Sequence, residues 1–62
     1  MYDYFQLVGN NVVVMADGMI YRGRLIEIGE TDLHLETEGG WLTIPTERVS
    51  GVELAEEGQA YP

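Results

Sequence analysis

The sequence predicts an all-β fold: five short strands in a strongly bent barrel, with a short N-terminal helix in front of them. Three observations carry the prediction. Apolar and polar residues alternate in short runs rich in valine, isoleucine, leucine and threonine, the period of two that marks strands rather than helices. Gly, Asp and Asn recur at short intervals between those runs, the punctuation of a β meander. A chain of 62 residues buries only roughly 60% of the surface its unfolded form exposes, so there is room for one thin core. Residues 1–54 therefore form a single domain, and residues 55–62, acidic and unpatterned, a flexible tail.

The segment Tyr2 to Val8 is apolar and ends at Gly9-Asn10, which reads as one or two helical turns closed by a glycine stop. The first strand, Asn11 to Met15, is nearly all valine, whose branched Cβ suits a pleated sheet. Asp17-Gly18 then turns the chain. A two-residue loop sets Met15 opposite Met19 or Ile20, depending on its closing pair. The expectation is a three-residue loop, Ala16-Asp17-Gly18, with Gly18 left-handed. It places Val13, Met15, Met19, Tyr21 and Gly23 on one face, and Val12, Val14, Ile20 and Ile26 on the other. Both faces are then apolar, and the second asks for a partner to cover it.

The second strand, Met19 to Ile28, is long, and Gly23 in its middle lacks a Cβ, which permits a sharp bend. Gly29-Glu30-Thr31 turns into the third strand, Asp32 to Thr37, where Leu33 and Leu35 alternate with Asp32, His34 and Glu36. Glu38-Gly39-Gly40 is the next turn. The fourth strand, Trp41 to Ile44, stops at Pro45, which has no N–H to donate to a ladder. Thr46-Glu47-Arg48 makes a tight connection to the fifth strand, Val49 to Leu54.

Composition narrows the function classes. Eleven acidic residues stand against three arginines, for a net charge of −8, a field that keeps a small apolar domain soluble and disfavours polyanionic partners. With no cysteine and one histidine, neither disulfides nor a histidine-rich metal site supports so small a core, and self-association is the expected stabiliser. No apolar run approaches the ~20 residues that span a bilayer, and Met1-Tyr2-Asp3-Tyr4 lacks the basic start of a secretory signal. The expectation is a cytoplasmic protein without a membrane partner. His34 has no Ser, Thr or Cys placed beside it by a catalytic motif, so neither an enzyme nor a cofactor is expected.

From Tyr4 to Leu54 the order of residues resembles the Sm/LSm family, which includes bacterial Hfq. A short apolar N-terminal segment ends in Gly9. Val13, Met15, Asp17-Gly18, Tyr21, Gly23, Leu25 and Ile28 follow the family's first motif, apolar alternation, an Asp-Gly turn and Gly-x-Leu in a bent strand. Leu33 and Leu35 fit the third strand, and Ile44, Val49 and Val52 the spacing of the second motif. SH3-like barrels share the meander and the Ile-Pro-x-x-Arg-Val ending. The resemblance implies a homo-oligomeric ring of commonly about five to seven copies, the fourth strand of one subunit pairing with the fifth of the next. The implied interface residues are Trp41, Leu42, Ile44, Val49, Val52 and Leu54, and the candidate surface for a further protein partner is Val12, Val14, Ile20 and Trp41.

The family also holds RNA at the pore, with an Asp and an Asn flanking a stacking side chain before the third strand and an Arg-Gly after the fourth. Here those positions carry Gly29, Asp32, Thr31 and Pro45-Thr46. Neither the aromatic stacking nor the cationic contact that binds single strands is present at them. The implied function is thus a non-catalytic binding or scaffolding ring, with a divergent RNA-binding protein as the alternative and a metal-binding protein as a remote one. Asp32, His34 and Glu36 point one way along their strand, the sparse basis of the metal reading. Arg24 is expected to pair across the sheet with Glu36, and Arg22 to lie near Glu38. Trp41 and Phe5 are expected in the core or a subunit interface, because a thin core needs large side chains.

Overall fold

The computed structural model describes residues 4–55. The expected flexible tail lies outside the described residues except for Ala55, as does Tyr2 at the other end. Tyr4–Leu7 forms a single 3-10 turn that ends where Gly9 takes φ 93°, a conformation that favours glycine. Leu7 is buried beneath the sheet, and Gly9 N–H donates to Leu25 C=O at 2.7 Å. The chain then runs through strands Asn11–Ala16 (β1), Met19–Ile28 (β2), Asp32–Thr37 (β3), Gly40–Pro45 (β4) and Val49–Leu54 (β5), with a second 3-10 turn at Thr46–Arg48.

All five strands lie in one antiparallel sheet in the order β4-β3-β2-β1-β5. The sheet is open: β4 and β5 are its outer strands and do not pair with each other. The core lies on one face, where Val12 and Val14 of β1, Leu25 of β2, Leu33 and Leu35 of β3 and Val52 of β5 are at most 3% exposed. Among the described residues no charged or polar residue is buried, so this thin core carries no desolvated charge.

The turn between β1 and β2 corrects the expected loop. It has two residues, not three: Ala16 pairs with Met19, and Asp17 and Gly18 both take positive φ, 53° and 76°. A two-residue loop with both central residues left-handed matches the twist of the flanking strands, and Asp is one of the few non-glycine residues that tolerates that region. Parity between the strands changes with the loop length. Val14 faces Tyr21 and Met15 faces Ile20, so Val12, Val14 and Ala16 share the core face with Gly23 and Leu25, while Val13 and Met15 share the outer face with Ile20 and Arg22.

The strand β2 serves two partners in succession. It pairs with β1 over Met19–Arg24 and with β3 over Arg24–Ile28, with a bulge at Ile26. The change occurs beside Gly23, where an added Cβ would stand 2.6 Å from the Glu36 carbonyl oxygen, closer than any side chain can approach. A second irregularity, between Met15 and Ala16 in the β1–β5 ladder, is closed by the Ser50 hydroxyl, which donates to Met15 C=O at 3.1 Å.

Candidate functional site

The two outer strands present their backbones to solvent in an order set by parity. Thr46 N–H donates to Thr31 C=O at 2.9 Å, in the same register as the β3–β4 ladder. Alternate residues of β4 therefore turn toward β3, and the N–H groups of Trp41 and Thr43 point away from the sheet. On the opposite edge Ala55 N–H donates to Asn11 C=O at 2.9 Å, so the N–H groups of Val52 and Leu54 point away from β1. Trp41 is 69% exposed and Leu54 56% exposed, one large apolar side chain on each free edge.

The six residues expected at a subunit interface thus divide. Trp41 and Leu54 are exposed, Leu42 and Val49 pack against the core from its margin, and Ile44 and Val52 are core side chains of the single chain. Ile44 and Val52 offer a neighbour their backbone edges and not their side chains. Of the four residues expected to face a further partner, Val12 and Val14 are completely buried, because their face of β1 packs in the core with Leu25, Leu35 and Val52. Ile20 and Trp41 are exposed, but on two different strands of the outer face. Trp41 and Phe5 are both more than half exposed, so neither is a core residue of this chain.

The loops between β2 and β3 and between β4 and β5 bring together the positions at which the resemblance places RNA. Thr46 is held by Thr31 C=O through its N–H and by Glu30 C=O through its hydroxyl, at 2.9 and 3.1 Å. Asp32 faces Pro45 across the ladder, and Gly29 N–H donates to Asp32 C=O at 2.7 Å. Thr31, Pro45 and Thr46 line a shallow hollow of about 350 Å³ together with Glu30 and Glu47. Its walls carry two carboxylates, no cation and no aromatic ring, a chemistry that repels phosphate rather than holding it.

No protein-family model, no curated protein and no solved structure matches this chain.

The side chains of Asp32, His34 and Glu36 alternate with core residues along β3, as their spacing requires. His34 Nδ1 lies 3.1 Å from the Thr43 hydroxyl, and Asp32 accepts a hydrogen bond from the Thr31 hydroxyl at 3.1 Å. Among the described residues no three His, Asp or Glu side chains gather as a metal would need. No helix of the described residues is long and apolar enough to cross a membrane.

Arg24 does face Glu36 across the ladder, yet the ion pair found among the described residues is Arg48 with Asp17, 3.0 Å apart and half exposed on both sides. Both Arg22 and Arg24 instead line a cleft of about 520 Å³ between the N-terminal half of β2 and the tip of the β3–β4 hairpin. Gly23, Glu36, Glu38 and Gly39 complete most of its wall. No motif in the sequence marked this cleft, because it arises from the point at which β2 changes partners.

Proposed function

We propose that this chain is a non-catalytic Sm-like protein of the cytoplasm that assembles into a homo-oligomeric ring and acts there as a binding or scaffolding module. One observation carries the reading: in the order β4-β3-β2-β1-β5, the fourth and fifth strands are the two unpaired edges of an open sheet. Pairing β4 of one copy with β5 of the next is antiparallel or parallel ladder formation between ready-made edges, and a heterologous contact of this kind closes into a ring when the rotation permits. The change of partner along β2 near Gly23, followed by the bulge at Ile26, is compatible with a sheet that curls toward an Sm-like barrel. Exposed Trp41 and Leu54 supply apolar area at the joint.

The RNA-binding alternative draws no support from the hollow where the family's pocket positions meet, since Glu30 and Glu47 flank it. Light scattering after size exclusion, with and without short uridine- and adenine-rich oligonucleotides at low salt, tests the proposal. A discrete oligomer whose mass ignores both RNAs is the expected result. A monomer at all accessible concentrations overturns the ring, and uptake of RNA overturns the scaffolding role in favour of the alternative.

A further inference from the structure

The half of β2 that precedes Gly23 is a third free edge, separate from β4 and β5. On one side Met19–Arg24 pairs with β1. On the other, pairing with β3 begins only at Arg24, so among the described residues 19–22 have no strand partner there. Parity identifies the exposed backbone groups. Leu25 N–H donates to Asn10 C=O at 2.9 Å, in register with the β1–β2 ladder, so the N–H and C=O groups of Ile20 and Arg22 point away from β1, and Arg22 lines the cleft. The side chains of Ile20, Arg22 and Arg24 lie on the outer face. Ile20 is 56% exposed, and neither arginine makes an ion pair among the described residues.

We infer that this edge receives an extended segment of a protein partner as an added strand, with a carboxylate opposite Arg22 and an apolar side chain two residues away beside Ile20. Strand addition satisfies the free backbone groups, and the alternate outer-face side chains give the specificity. The charge pattern selects the partner. In a chain of net charge −8, the two arginines without an ion pair both border this one cleft, and a guanidinium fork matches a carboxylate. Glu36 and Glu38 stand on the same cleft wall, which admits an isolated carboxylate but sets itself against a continuous polyanion. A peptide is therefore favoured over a nucleic acid. The inference does not rest on ring formation, because the β2 edge is not one of the two outer edges of the sheet.

A heteronuclear NMR titration of the full chain tests it, using the acetylated and amidated pentapeptide Thr-Val-Thr-Glu-Thr, whose Val and Glu stand two residues apart on one face. The expected shifts fall on the amides of Ile20, Arg22 and Gly39. Affinity should drop about tenfold in Arg22→Ala, the scale of losing one charge-assisted hydrogen bond, and by a similar factor for the peptide with Lys in place of Glu. A peptide N-methylated at alternate backbone nitrogens keeps its charge but cannot pair as a strand, and should lose binding without any change to the protein. Equal binding of the Lys or the N-methylated peptide overturns the proposal. So do shifts confined to Trp41 and Thr43 or to Val52 and Leu54, or a short oligouridine that produces the same shifts more tightly than the peptide. The oligomer's mass, read on the same samples, reports separately on the ring.

Discussion

Gly23 and Gly51 lie in neighbouring ladders and differ in what a methyl group would meet. At Gly23 the obstacle is the Glu36 backbone oxygen at 2.6 Å, and at Gly51 it is the Cε of Met15 at 3.0 Å, the end of a flexible side chain. Backbone cannot yield without breaking the β2–β3 pairing, whereas Met15 can change rotamer. Urea unfolding is expected to show Gly23→Ala destabilised by about 1–3 kcal/mol and Gly51→Ala by less than about 1 kcal/mol. Equal losses at the two sites would refute the close approach at Gly23. The contrast between faces gives a second expectation. Leu35 is fully buried and Ile20 more than half exposed, so Leu35→Ala should cost about 2–5 kcal/mol and Ile20→Ala less than about 1 kcal/mol. The first of these approaches the whole stability of so small a domain, about 0.05–0.15 kcal/mol per residue, and circular dichroism of Leu35→Ala should show a largely unfolded chain unless assembly holds it.

Strands and turns decide what is offered to a partner. A proline at a position whose N–H points outward removes one edge hydrogen bond while leaving the ladder inside the sheet intact. Thr43 on β4 and Leu54 on β5 are such positions, by the parity that the Thr46–Thr31 and Ala55–Asn11 hydrogen bonds establish. Thr43→Pro and Leu54→Pro are each expected to lower the oligomer's mass in light scattering while preserving the far-ultraviolet spectrum of the β fold. An unchanged mass in both variants would show that β4 and β5 are not the joints. The Arg48–Asp17 pair ties the second 3-10 turn to the β1–β2 loop, but both side chains are half exposed, so it adds on the order of 0.2–1 kcal/mol at most.

At the scale of the whole molecule, the net charge of −8 per copy opposes assembly through mutual repulsion, while edge pairing and apolar contact favour it. Salt screens the first and hardly touches the second: the Debye length falls from about 10 Å at 0.1 M to about 3 Å at 1 M. Raising the salt over that range is therefore expected to tighten the proposed oligomer, measured as a lower concentration for half-assembly. Binding of phosphate backbones has the opposite sign, since salt weakens it. An oligomer that dissociates as salt rises would mean that ion pairs hold the copies together, contrary to the edge-pairing account.

The strand positions were legible because local chemistry writes them: β-branched runs set β1, Gly29-Glu30-Thr31 and Glu38-Gly39-Gly40 bound β3, and Pro45 ends β4. Gly23 was expected to bend β2; what stands there is a close approach to the Glu36 carbonyl that only a residue without Cβ permits, while the bulge falls at Ile26. The facing of β1 was not legible. Ala16-Asp17-Gly18 is compatible with either loop length, and one residue of difference decides whether Ile20 or Tyr21 shares a face with Val12 and Val14. That choice belongs to the register between β1 and β2, and which face becomes the core belongs to the packing of the whole sheet, which no local pattern encodes. The cleft beside Arg22 and Arg24 was hidden for a related reason. It exists because β2 joins β3 only at Arg24, and a strand's lack of a neighbour is a property of pairing across the fold rather than of the residues in the strand.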